Sequence, residues 1–178
     1  LAIEQLPEKL TAADIERLLA PLLAGHDLGL MSEAGCPAVA DPGALLVRRA
    51  HELGITVKPM VGPSSLLLAL MASGLDGQRF AFHGYLPARE PDRSRRIAEL
   101  EAESARQGQT QIFIETPYRN LALFAALLAA CKPATRLCVA SDLSLASETV
   151  ASRRIRDWKP LPPPTLDKRP TVFLILAA

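Results

Sequence analysis

Residues 32–43 read SEAGCPAVADPG and residues 62–65 read GPSS, each standing where an apolar run stops and a helical pattern starts. The runs before them, LGLM at 28–31 and ITVKPMV at 55–61, suit buried strands. No hairpin signal joins the two. The resulting β-α-β-α order predicts neighbouring parallel strands linked by a right-handed crossover. Both loops then lie at the carboxyl edge of one sheet. Open α/β sheets bind small molecules there, because several strands deliver loops and backbone N–H groups to one crevice.

The flanking pattern agrees. Thr11 followed by Asp14 resembles a capping box, and Ile15, Leu18, Leu19, Leu22 and Leu23 form a helical stripe ending at Gly25, with a bend expected at Pro21. Asp41 and Pro42 predict an N-cap and first turn for a helix reaching Leu53, with Leu46, Ala50 and Leu53 inward. GPSS leads into a helix over 66–73. From residue 76 the texture changes. Short strands FAFHGY, TQIFIET, RLCVAS and TVFLILA alternate with helices over 94–107 and 118–131, and PLPPPTLDKRP at 160–170 reads as an extended loop. Two domains are expected, an N-terminal α/β domain over 1–75 and a C-terminal α/β domain over 76–178.

Composition narrows the chemistry. Twenty Lys and Arg against nineteen Asp and Glu leave a net charge of +1, so a long polyanion can be gripped only by a local patch. Cys36, Cys131 and Cys138 lack CxxC spacing, and His26, His51 and His83 are scattered, which predicts reduced thiols, no metal and a cytoplasmic address. The longest apolar runs, at 64–73 and 171–178, fall short of the roughly 20 residues that span a bilayer. No phosphate-cradling GxGxxG or GxxxxGK[ST] is present, which disfavours dinucleotides and nucleoside triphosphates.

SEAGCPAVADPG, ITVKPMVGPSS, ASGL, FAFHGYLP, RSRR, IFIETPYR, CVASDLSLASET and a closing apolar strand follow in one fixed order. This succession resembles the tetrapyrrole methylase superfamily of S-adenosylmethionine-dependent methyltransferases, and within it the branch that methylates ribosomal RNA. The resemblance implies a parallel-sheet N-terminal domain, incomplete at its start, and a mixed-sheet C-terminal domain with the ligand cleft between them. It also implies a homodimer and an RNA acceptor, with tetrapyrrole or another small molecule as the alternative. A donor-binding protein with little catalysis is a third reading.

Carried over by motif, the resemblance assigns the methyl donor to Glu33, Ala34, Gly35 and Cys36 of the first loop, Ser64 and Ser65 of the second, and Thr116, Ala140, Ser141 and Thr171. Glu33 stands where the family has Asp, and Cys36 where it has Thr. Leu145 replaces a lysine of the RNA-modifying branch. The family's glycine- and proline-containing front loop has no counterpart before Leu28. For the chemistry, Glu115 and Asp142 are the candidate general bases for a hydroxyl acceptor, with Glu148 also near the expected cleft. Arg93, Arg95, Arg96 and Arg119 are the candidate contacts to acceptor phosphates. His83 reads as a structural histidine and Trp158 as a packing or lid residue.

Overall fold

A computed structural model describes residues 2–7 and 9–177. The chain forms two compact units that divide between Ser64 and Ser65. The first holds α1 (Ala12–Leu23) and α2 (Ala44–Glu52). In α1 the Thr11 hydroxyl accepts from the Asp14 amide at 3.2 Å, and Asp14 accepts from the Thr11 amide at 3.0 Å, which closes the anticipated capping box. Pro21 lies inside the helix. Leu19, Leu46 and Ala50 form a small core between the two helices, with Ile15, Leu18, Leu22, Leu30, Leu53 and Ile55 packed around it.

Two expectations fail in this unit. Among its described residues there is no strand, so neither 28–31 nor 55–61 belongs to a parallel sheet. A strand exists only through a hydrogen-bonded neighbour, and neither segment has one. Their side chains stand correspondingly open, Met31 at 80 %, Met60 at 88 % and Val61 fully exposed. Asp41 is also not the cap of α2. Gly43 holds that place at φ 128°, while residues 38–42 close a turn in which the Ala38 amide donates to the Pro42 carbonyl at 3.3 Å. The conformation requires glycine, whereas the 2.7 Å approach of an added Cβ to Leu30 Cδ2 meets only the tip of a side chain that can shift.

The second unit holds α3 (Ser65–Ser73), β1 (Phe80–Tyr85), α4 (Asp92–Gln107), β2 (Thr110–Ile114), a 3₁₀ turn (Pro117–Arg119) and α5 (Asn120–Ala130). It continues with β3 (Arg136–Ser141), β4 (Thr149–Arg154), α6 (Ile155–Trp158) and β5 (Thr171–Leu176). The strands form one mixed sheet in the order β1-β2-β5-β3-β4, with only β1 and β2 parallel. Helix α3 packs on this sheet, whereas the boundary read near residue 76 groups it with the first unit.

Alternation along each strand sends side chains to opposite faces. Ile112, Cys138, Ala140, Val172 and Leu174 meet Ala69 and Leu70 of α3 on one face. Phe113, Leu137, Val139, Phe173 and Ile175 meet α4, α5 and α6 on the other. Phe113 and Phe173 stack with centroids 6.2 Å apart, and Trp158 meets Phe124 edge-on at 5.3 Å. Trp158 is thus a core residue, and its indole N–H donates to the Leu137 carbonyl at 3.0 Å. Burial on this scale contributes about 1.5–3 kcal/mol per large side chain. Buried Glu101 of α4 accepts from the Lys132 amide at 2.7 Å and the Thr135 hydroxyl at 2.5 Å, tying α4 to the turn before β3. Among the described residues no helix is long and apolar enough to cross a membrane.

Candidate functional site

Register brings several of the assigned residues to one edge of the five-stranded sheet. Tyr85 pairs with Ile114, Ile114 with Val172, Ala140 with Val172, and Ser141 with Thr171. The carboxyl ends of β1, β2 and β3 and the start of β5 therefore adjoin, and Glu115, Thr116, Ser141, Asp142 and Thr171 gather there.

Glu115 leaves β2 with its side chain wholly buried. Its Oε1 accepts from the Thr116 amide at 2.6 Å and from Arg119 Nε and Nη2 at 3.0 and 2.7 Å. Its Oε2 is buried without a partner among the described residues. The i to i+4 ion pair fixes the 3₁₀ turn, and the hydrogen bond and charge of Glu115 push the Arg119 pKa above its ordinary value. Arg119 still keeps 41 % of its side chain exposed.

Asn120 follows. Its Nδ2 donates to the carbonyls of Leu166 and Arg169 at 3.2 and 2.8 Å and to Thr171 Oγ1 at 3.2 Å, while its Oδ1 is buried without a partner. Thr171 Oγ1 donates to the Arg169 carbonyl at 3.0 Å and lies 2.9 Å from Ser141 Oγ. Having given its one proton to Arg169, Thr171 accepts from Ser141. Both hydroxyls are thus committed internally, and what this edge offers outward is backbone and the Thr116 hydroxyl, with the two partnerless oxygens enclosed beneath them.

Asp142 sits at a left-handed φ of 52°, where β3 turns away. Its Oδ2 accepts from Ser147 Oγ and Arg169 Nε, both at 2.7 Å. Those bonds, Ser147's first and Arg169's second, hold its pKa below the ordinary carboxylate value. Arg169 also donates to the carbonyls of Thr165 and Ser147, clamping the 142–148 and 160–170 loops together. Glu148 accepts from the Ser144 amide at 2.7 Å within the same loop. Asn120, Ser147 and Arg169 were absent from the sequence reading. Only an Asn at a helix start and a lone Arg in a proline-rich loop could have marked them, and their partners lie up to 51 positions away.

In the first unit the two motif loops touch: Cys36 Sγ donates to the Pro63 carbonyl at 3.8 Å, and Ser32 Oγ to the Gly35 carbonyl at 3.3 Å. Glu33, Ala34 and Gly35 are exposed and Ser64 is half-buried. Ser65, exposed, opens α3 in the second unit. His83 Nε2 lies 2.6 Å from Gln111 Oε1, a structural pairing. Arg93, Arg95 and Arg96 lie in the first turns of α4, which opens after the loop leaving the carboxyl end of β1. Each pairs with a carboxylate three residues away: Glu90 at 2.8 Å, Asp92 at 3.2 Å and Glu99 at 3.1 Å. Cys131 and Cys138 are buried thiols pushed up to about 12 by desolvation, hence unreactive. No group of three potential metal ligands occurs among the described residues.

The profile of the tetrapyrrole (corrin/porphyrin) methylases matches residues 4–158. The ribosomal RNA small subunit methyltransferase I of Pseudomonas aeruginosa is 38 % identical over 145 residues, covering 80 % of this chain and 50 % of that protein. Its Xylella fastidiosa namesake is 45 % identical over 104 residues, covering 58 % of this chain and 37 % of that protein. The chain thus spans half or less of the length of these curated relatives. Among solved structures, that of the methyltransferase CobJ superposes with a TM-score of 0.59 at 17 % identity, covering 92 % of this chain and 71 % of the other, a likeness of fold. With the mixed sheet, the ordered motifs and a profile match over most of its length, the chain belongs to the tetrapyrrole methylase family.

Proposed function

We propose that this chain is part of a methyltransferase that uses S-adenosylmethionine and methylates RNA, in its finest form a ribose 2′-hydroxyl of small-subunit ribosomal RNA. The observation that carries the reading is the meeting of Glu115, Thr116, Ser141, Asp142 and Thr171 at one sheet edge, with two buried acceptor oxygens, Glu115 Oε2 and Asn120 Oδ1, lacking donors. Such acceptors are costly unless something donates to them. S-adenosylmethionine carries N–H and O–H groups suited to Asn120 Oδ1, which leaves Glu115 Oε2 for the acceptor hydroxyl, and, when bound, supplies a methyl group already activated on a sulfonium.

By the motif resemblance, the donor's ribose and amino-acid end is assigned in the second unit to the hydroxyls of Ser65 and Thr116; within the first unit the assignment falls on Glu33, Ala34, Gly35, Cys36 and Ser64. Backbone groups of Ala140, Ser141 and Thr171 form the adenine subsite, kept rigid by the Asn120–Thr171–Ser141 chain. Transfer from such an activated donor, whose methyl–sulfur bond breaks as the acceptor oxygen attacks and whose thioether departs, demands mainly positioning. A hydroxyl acceptor must still lose a proton, and Glu115 Oε2 takes it. Asp142, held ionised by Ser147 and Arg169, positions the 142–148 loop. Arg119 is the acceptor-side cation.

Calorimetry with S-adenosylhomocysteine on the full-length natural protein should give heat. Tritium from labelled donor should enter ribosomal RNA from a strain lacking the protein. Absence of heat at millimolar ligand, or label entering small molecules alone, would overturn this reading. Glu115→Gln should lower kcat by about 10²–10⁴-fold while donor affinity stays within a few-fold. An unchanged kcat would remove Glu115 from proton transfer.

A further inference from the structure

The edge strand β4 and the elements beside it carry a second concentration of charge. Arg136 opens β3 and stands directly across from Arg154 of β4 in the antiparallel register. By strand alternation both project on the face that carries Cys138, Ala140 and Val150. Arg153, on the other face, lies over Trp158 with its Cζ 4.9 Å from the ring centroid. Arg156 and Lys159 follow along α6. These five cations are accompanied by one carboxylate, Asp157, which reaches only Arg156, at 3.7 Å. The local net charge is therefore +4, five cations less one carboxylate, in a chain whose total is +1. Among the described residues, Arg136, Arg153, Arg154 and Lys159 form no ion pair, unlike Arg93, Arg95 and Arg96.

Like charges directly opposite in a sheet destabilise it, so the Arg136–Arg154 pair is an unfavourable arrangement in the free protein. Charges do protect edge strands from illicit pairing, but that explains nothing about Arg136, which is on the inner strand β3. The opposite edge, β1, carries no charged residue at all. A second copy pairing antiparallel at this edge in register would set Arg154 against Thr149 and leave the Arg136–Arg154 repulsion in place. A polyanion relieves the repulsion instead, and guanidinium groups suit phosphate oxygens through paired N–H donors.

We propose that Arg136 and Arg154 form a phosphate-binding pair that grips the backbone of the acceptor RNA away from the methyl-transfer site, with Arg153, Arg156 and Lys159 on the other side of the same sheet edge adding to the local positive field. The proposal rests on the RNA reading above and names the surface that holds the RNA. It is a separate surface from the RSRR segment of α4, whose arginines each pair with a neighbouring carboxylate. Sequence specificity is not expected of it, because phosphate contacts position a nucleic acid without reading bases.

The test is fluorescence anisotropy with a labelled small-subunit ribosomal RNA hairpin, titrated with the full chain from about 50 to 200 mM salt, where phosphate contacts dominate the dependence. The double variant Arg136→Gln/Arg154→Gln should bind at least about 10-fold more weakly at the low-salt end. Its slope of log affinity against log salt should be shallower by about 1 to 2. Arg136→Lys/Arg154→Lys should keep most of the affinity, and Arg95→Gln should change nothing. Because the double variant removes opposed like charges, its thermal midpoint should not fall, which separates lost binding from lost fold. Equal affinity and slope in the double variant, or no salt-dependent binding by the unmodified chain, would overturn the proposal. Calorimetry with S-adenosylhomocysteine on the same samples separates the two claims: missing heat counts against the methyltransferase reading, and unaltered RNA binding in the double variant counts against the surface.

Discussion

Replacing Asn120 by Asp and by Ala should reverse the usual order of damage, with the near-isosteric change the worse. The Asn120 amide has two N–H groups for three acceptors, so it makes two full hydrogen bonds at a time. Both backbone acceptors have a further donor, since Leu166 also receives the Arg169 amide and Arg169 also receives Thr171 Oγ1. Losing the amide therefore removes about 2 kcal/mol of net hydrogen bonding rather than stranding two carbonyls. Asn120 Oδ1 meanwhile is a buried acceptor with no partner, and deleting it regains about 1–3 kcal/mol. Allowing roughly 1 kcal/mol for the small cavity, Asn120→Ala should cost about 0–2 kcal/mol.

Asn120→Asp instead turns both donors into acceptors facing acceptors. The nearby Arg169 guanidinium is already committed to Asp142, Thr165 and Ser147. A buried ionised carboxylate without a partner costs about 3–5 kcal/mol, so the group resists ionising and its folded-state pKa rises above the unfolded value of about 3.9. For a carboxyl raised in this way, the unfolded chain loses its proton first. Stability should therefore fall as pH climbs from about 4, by about 1.4 kcal/mol per unit until the folded pKa is passed. Urea unfolding followed through Trp158, the sole tryptophan and buried within the second unit, reports on this unit alone. Asn120→Ala proving more harmful than Asn120→Asp at pH 7, or Asn120→Asp showing no added pH dependence between 4 and 7, would refute the reasoning.

Asp142 titrates in the opposite sense. Its folded pKa is depressed, so its contribution is present above the unfolded value and lost as pH falls through the folded one. Asp142→Asn should flatten the acid limb of the second unit's stability, as followed by Trp158 fluorescence. Gly43→Ala should destabilise the first unit by about 1–3 kcal/mol, because its φ of 128° is one that side chains avoid. Loss of helical circular dichroism at lower temperature would report it, and an unchanged melt would contradict the assigned turn.

Much of the second unit was legible because its signals are local. FAFHGY and RLCVAS form strands over their whole length, and TQIFIET and TVFLILA over most of theirs, because each is short, apolar and bounded by breakers. Strand β4 escaped notice because Thr149 to Arg154 ends in two arginines and carries little apolar content. It is a strand because β3 offers it a ladder. In the first unit the reverse happened. LGLM and ITVKPMV have the composition of strands but no hydrogen-bonded neighbour among the described residues, and composition cannot supply one.

The site divides along the same line. The order of motifs singled out Glu115, Thr116, Ser141, Asp142 and Thr171 as candidates, and the sheet register gathers them at one edge. Which of their atoms are committed could not be read from that order. Thr171 and Ser141 are 30 positions apart, and Asn120 and Thr171 are 51 apart, yet they share one hydrogen-bonded chain. The sequence by itself determined the capping box, the strand-forming runs, the family pattern and a near-neutral total charge, because propensity, periodicity and composition act over neighbouring residues. Only the tertiary structure decided that the α4 arginines are balanced by carboxylates while Arg136 and Arg154 oppose each other unpaired, and that Glu115 keeps one oxygen free. Sheet register and burial bring distant groups within hydrogen-bonding and Coulombic range, and those energies depend on separation in space, not along the chain.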